Sequence, residues 1–324
     1  MSPNLPEAAI VVGGSAGIGR SVVDALLMRG YRVGVIARGK ERLDEMAEMP
    51  NVFTASADAG SSADLDKAVD ELIVKLGVPT AWVNCAMATS FSSFMRIPAE
   101  EFDRIVQTTF LGQVNGTRAA LRRMESGSIV NVGSGLSYRS VPLQSAYCAA
   151  KHAINGFTSS VRLELIREGS KVSLSLVQLP AVNTPQFDWA RSRLDRQPQP
   201  APPIYAPQVA AKAIMQAIDT GARELFMGSS VLKLVFGQFF APDYLDKRLA
   251  DDGVSSQKSD RPEPGLREGN LSRPVDYPSK AEGSYSKRQR DDGVIVDADM
   301  ARKAVFIGLP VLALAAGFLL GRRR

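Results

Sequence analysis

The residues of this chain best suited to chemistry are Ser134, Tyr147 and Lys151. Tyr147 and Lys151 stand four positions apart in a helical pattern, so both project from one face. A free phenol titrates near about 10 and exchanges protons poorly at neutral pH. An ammonium one turn away favours the phenolate and would lower that value. Ser134 closes an apolar run 13 residues before Tyr147, where its hydroxyl can hold the oxygen that Tyr147 protonates. The implied chemistry is general acid–base catalysis at an alcohol or carbonyl oxygen.

A second constellation lies near the start. The apolar run Ala8–Val12 ends in Gly13-Gly14-Ser15-Ala16-Gly17-Ile18-Gly19, and a helical pattern follows at once. Glycines there let the backbone approach a pyrophosphate, and the helix N-terminus supplies N–H donors and the positive end of its dipole. An acid about 20 residues further on would hold the ribose 2′-hydroxyl of NAD. Ala37 occupies that place and Arg38 follows, so the pattern favours the 2′-phosphate of NADP, with NAD the weaker choice.

These groups need elements to position them. Apolar runs at Ala8–Val12, Arg32–Ala37, Val52–Ala57, Ala81–Val83, Ser128–Val132, Lys171–Leu179 and Glu224–Met227 read as strands. Helical patterns at Ile18–Arg29, Ala63–Leu76, Glu100–Met124, Tyr147–Arg167 and Pro207–Thr220 lie between them. Strand and helix in alternation predict a doubly wound α/β fold with a parallel sheet covered on both faces. The segment 180–207 carries seven prolines with Phe187, Trp189 and Tyr205, and reads as a lid after a strand.

Taken together, these motifs resemble those of the short-chain dehydrogenase/reductase family, in its ordinary-length branch, over roughly Ala8 to Met227. The resemblance implies a Rossmann fold of seven parallel strands, a nicotinamide cofactor and interconversion of an alcohol and a carbonyl. It implies that Ser134, Tyr147 and Lys151 are catalytic, with Lys151 also holding the cofactor ribose. It implies cofactor contacts from Gly13, Ser15, Gly17, Ile18 and Gly19 in the turn, and from Asp58 at the adenine. Asn84 and Ala86 follow the fourth strand, and Val182 and Thr184 hold the carboxamide. Thr109 stands where the family carries a fourth catalytic residue, an asparagine, and its backbone carbonyl could bind the same water. Cys85 and Met87 also depart from the family's Asn-Asn-Ala-Gly.

Four segments are expected: the catalytic domain 1–228, an amphipathic extension 229–250, a disordered linker 251–301, and a single transmembrane helix 302–324 with basic flanks. The linker is polar and has no Phe, Trp or Cys. The run Ala304–Gly321 is uncharged and long enough, as a helix, to cross a hydrocarbon core of about 30 Å. No export signal is visible at the start, which places the domain on the cytoplasmic side of a membrane. The net charge of +5 is a property of the tail: five basic residues and no acid lie in 301–324. Taking those five from 39 leaves 34 basic residues against 34 acidic ones, so no basic face for nucleic acid follows. One histidine, His152, argues against a His-based metal site, and two cysteines against a disulfide framework. The expected partners are a lipophilic small molecule, the membrane and a second copy of the chain. A membrane-tethered cofactor-binding scaffold or sensor with little catalysis is the alternative.

Overall fold

The computed structural model describes residues 7–263, 265–308, 310 and 311. Eight strands among these residues form one sheet: β1 (Ala8–Val12), β2 (Arg32–Ala37), β3 (Val52–Ser56), β4 (Ala81–Asn84), β5 (Ser126–Val132), β6 (Lys171–Gln178), β7 (Glu224–Met227) and β8 (Ile295–Asp297). Their spatial order is β3-β2-β1-β4-β5-β6-β7-β8. The first seven run parallel, and β8 pairs antiparallel with β7, Phe226 opposite Val296. The order reverses between β1 and β4, which opens a crevice at the carboxyl ends of the strands.

The strands are rich in apolar residues on both sides, β1 along its whole length, because helices cover both faces. On one face α1 (Gly17–Met28) and α2 (Lys40–Ala47) pack with a later helix through Val22, Leu26, Met46 and Ile214. On the other, α3 (Ser62–Leu76) places Leu65, Val69, Leu72 and Leu76 against Ile10 and Trp82. The stretch expected as one helix over Glu100–Met124 is divided. It forms α4 (Ala99–Val106), a π-helical turn at Gln107–Leu111 and α5 (Gly112–Leu121). Next comes α6 (Ser145–Arg167), which carries Tyr147 and Lys151. The 180–207 insertion contains α7 (Gln186–Trp189) and short strands, and α8 (Pro207–Thr220) completes the first face. Pro207 starts α8 without losing a hydrogen bond, and Gly221 ends it with a left-handed φ of 59°. The expected extension is α9 (Ser229–Phe240) and α10 (Pro242–Ser255); Val231 and Val235 of α9 pack on Phe226.

Three expectations are corrected here. The sheet has an eighth, antiparallel strand, and residues 251–301 are not a disordered linker, since they supply it. The same segment pairs Lys258–Pro262 with Arg196–Pro198 of the insertion and ends in α11 (Ala298–Lys303). Its composition is too polar to build a core of its own, but it needs none: it lies on a body already folded, with its backbone carbonyls bonded to arginines. The boundary expected at 301/302 also falls elsewhere. Arg302 donates to the buried Glu224 at 2.6 Å and to the Tyr138 hydroxyl at 2.9 Å, so it belongs to the folded body.

Among the described residues no helix is long and apolar enough to cross a membrane. Of the expected span Ala304–Gly321, residues 309 and 312–321 lie outside the described residues. Residues Ala304–Gly308 form a π-helical turn continuing α11.

Candidate active site

A cavity of about 650 Å³ runs along the carboxyl ends of the strands. Gly13, Ser15, Gly17, Ile18, Arg38, Asp58, Ala86, Ser134, Tyr147, Lys151, Val182 and Thr184 all line it, so the fold gathers most of the expected site in one place. Three expected residues do not line it. Gly19 packs α1 on the turn: a Cβ there would lie 2.1 Å from the Gly13 carbonyl oxygen. Asn84 turns away from the cavity, accepting from Trp82 Nε1 at 2.8 Å and donating to Thr117 and Asn131, so it ties β4 to its neighbours. The segment after β4 reaches the cavity instead through Cys85, Ala86 and Met87. Thr109 is fully buried, its hydroxyl locked in both directions onto the backbone of Ala88. Thr108, which sequence reasoning passed over, lines the cavity with a buried hydroxyl that has no partner among the described residues. Tyr205, read as a lid aromatic, belongs to the core, whereas Phe187 and Trp189 do line the cavity.

At one end stands the acid–base group. Ser134 caps the short helical turn Gly135–Ser137, its hydroxyl accepting from Leu136 N–H at 3.1 Å, which leaves the hydroxyl proton to be donated towards the Tyr147 phenol. Its own N–H donates to Gln178 Oε1 at 2.8 Å, and Gln178 is held in turn by buried Glu224. Lys151 Nζ donates to the Val132 carbonyl at 2.6 Å and sits 5.6 Å from the centre of the Tyr147 ring. Burial pushes the Tyr147 phenol well above its ordinary range, and a hydrogen bond with Ser134 only partly offsets this. The expected lowering by Lys151 is therefore absent in the free protein. Burial also acts on Lys151, drawing it down from 10.5 to about 8. Burial pushes Cys85 up to about 11, so it is an inert thiol.

At the other end Arg38 and Arg104 gather around one carboxylate, Asp58, with Arg42 beside Arg38. Burial alone would raise the Asp58 carboxyl. Bonds from Arg104 at 2.5 Å and from Gly60 N–H at 2.9 Å hold it below its ordinary range instead. Two guanidinium groups against this one acid leave a local excess of positive charge. Between the two ends, Gly13 has φ 85°, and a Cβ there would lie 2.5 Å from Ala86 N, so only glycine lets the turn close on β4. A nicotinamide dinucleotide fits these residues. The glycine turn and α1 N-terminus suit its pyrophosphate, the arginines suit an anion on the adenosine, and the apolar wall by Ser134 and Tyr147 suits its nicotinamide.

This fold and site define a Rossmann-type oxidoreductase. The family model for short chain dehydrogenase matches residues 7–194. An uncharacterized oxidoreductase of Bacillus subtilis, YxnA, is 31% identical over 266 residues, covering 79% of this chain and 75% of that protein. The 11-beta-hydroxysteroid dehydrogenase 1A of Arabidopsis thaliana is 34% identical over 182 residues, 53% of this chain and 51% of that protein, so the chain spans about half of that relative's length. A crystal structure of a short-chain dehydrogenase from Streptomyces avermitilis superposes with a TM-score of 0.63 at 25% identity, covering 77% of this chain and 98% of that one. The chain belongs to the short-chain dehydrogenase/reductase family and is an oxidoreductase.

Proposed function

We propose that the protein is an NADP(H)-dependent enzyme that interconverts a lipophilic alcohol and its carbonyl compound at a membrane surface. The observation that carries this reading is the continuous cavity joining the Arg38 cluster to Tyr147. When bound, the dinucleotide supplies or accepts the hydride. The chain does the rest. Ser134 uses its hydroxyl proton to hold the substrate oxygen, Tyr147 transfers a proton to or from it, and Lys151 keeps a positive charge beside the phenol. The raised phenol suits the reductive direction, in which Tyr147 must hold a proton to give.

Arg38 supports NADP, and among the relatives is an NADPH-dependent pterin aldehyde reductase of Arabidopsis thaliana, 30% identical over 174 residues. In a fluorescence titration NADPH should bind more tightly than NADH. Arg38→Ala should weaken NADPH by on the order of 10- to 100-fold and leave NADH nearly unchanged. Equal affinity of the wild type for the two would overturn the choice.

An apolar substrate is supported by the wall beyond Tyr147, formed by Leu136, Val141, Phe187, Leu234 and Leu249. The steroid named for the plant relative agrees in character. Membrane attachment is supported by the uncharged run 304–321 of the sequence and by the apolar surface around Phe306. There Phe306 stacks among Phe236, Phe239 and Phe240, and the last two are more than half exposed. The two free thiols suit a cytoplasmic face. The full chain should float with anionic phospholipid vesicles, and a chain lacking 304–324 should stay at the bottom of the gradient. Equal flotation of both would defeat the tether.

A further inference from the structure

Residues 269–283 cross the open side of the cofactor groove, and the contacts they make are with the groups that a dinucleotide needs. Arg38 donates to the carbonyls of Asn270 at 2.7 Å and Leu271 at 3.1 Å. Arg42 donates to the Val275 carbonyl at 2.8 Å. Gly17 N–H, in the glycine turn, donates to the Lys280 carbonyl at 3.0 Å, and the Ser279 hydroxyl donates to the Ser15 carbonyl at 3.0 Å. Leu271 is fully buried with Ala88, Ile105 and Ala146, in the cluster that Tyr147 packs against. Tyr277 fastens the crossing to the insertion. Its hydroxyl donates to Asp188 at 2.8 Å, and its ring lies 4.9 Å from that of Trp189, edge to face.

Both ends are seated by glycine. A Cβ on Gly269 would lie 2.3 Å from the Trp189 carbonyl oxygen, and one on Gly283 would lie 2.4 Å from that of Thr184. The groove remains hollow beneath: Asn270 and Pro274 form part of the cavity wall.

We infer that residues 269–283 are a strap that forms the outer wall of the cofactor site, positions Arg38 within it, and must lift for the cofactor to enter or leave. This rests on the dinucleotide reading above. Arg38 is a long, charged side chain that solvent would otherwise disperse over many rotamers; two backbone carbonyls on the strap fix its guanidinium in the groove. A ligand under a wall bonded at so many points cannot leave sideways, so its release rate is the rate of strap opening.

A reversible staple tests this. Gly39 has φ −79°, which any residue adopts, and a Cβ there would lie 3.4 Å from Pro274 Cβ, close to the spacing of a disulfide. In the Gly39→Cys/Pro274→Cys protein, with the bond confirmed by peptide mapping, NADPH is loaded and then chased with excess NADP⁺ while its fluorescence is followed. The oxidised protein should release NADPH at least about 100-fold more slowly than the same protein reduced. A second variant approaches from the other side: Tyr277→Ala removes the fastening to Asp188 and Trp189, and should release NADPH about 10-fold faster than wild type. Equal rates in the oxidised and reduced forms, or an unchanged rate in Tyr277→Ala, would overturn the strap. Failure of wild-type protein to bind NADPH at all would instead overturn the dinucleotide reading.

Discussion

Tyr147→Phe is expected to lower turnover by about 10³-fold or more while leaving the affinity for NADPH within about twofold. The change deletes one oxygen and keeps the ring, and the ring already packs in place with Lys151 Nζ 5.6 Å from its centre. The site is buried, so solvent is a poor replacement for the lost proton donor. Ser134 cannot substitute, because a serine hydroxyl is too weak an acid to give up its proton. The measurement is a pair: NADPH consumption with the best carbonyl compound from a panel of soluble and lipophilic ketones, and a binding titration of the same protein. Turnover near the wild-type value would remove Tyr147 from the chemistry. Loss of both binding and turnover would show a structural role, and would leave the acid–base assignment without support.

What could be read from the sequence is what side chains alone encode. Parallel strands buried on both faces leave uninterrupted apolar runs, so β1, β2 and β7 begin and end where the runs do. Tyr147, Lys151 and the glycine turn were legible because their spacing is local. Two features were not. The π-helical turn at Gln107–Leu111 inserts one residue into the helical repeat and rotates the helix beyond it; Thr109 thereby turns onto Ala88 and Thr108 faces the cavity. No periodicity in the sequence marks that extra residue. The strap was missed for a different reason. Its partners are backbone carbonyls, which every residue possesses, so the segment keeps the composition of a disordered one and is ordered by the arginines of the body. Arg38 lines the cavity, yet the groups that aim it lie more than 200 residues away.

The remaining prediction concerns Lys151, whose burial in the free protein works against its charge. Its ordinary value of 10.5 falls to about 8 in the folded chain, so the ammonium is complete only below about pH 8 and is lost as pH rises through that value. The phenol, moved upward, keeps its proton across this range and adds no limb of its own. The ratio kcat/KM for NADPH reports the free enzyme. It should therefore be flat below about pH 7.5 and fall about tenfold per unit above pH 8. Lys151→Met should erase that limb and lower the plateau by about 100-fold. The same shift bears on stability with the opposite sign. A lysine depressed on folding binds fewer protons in the folded state than in the unfolded one between about pH 8 and 10.5. Stability should therefore rise with pH through that window and carry its full penalty, roughly 3 kcal/mol, below it. Replacing Lys151 with Met removes a buried charge, so the variant should unfold at a higher temperature than wild type at pH 7, with the gap closing towards pH 10.5. A variant that is inactive and also less stable at pH 7 would show that the Val132 contact outweighs the burial cost. An active variant would remove Lys151 from the site altogether. An inactive but more stable one is the signature of a charge kept for catalysis against the preference of the fold.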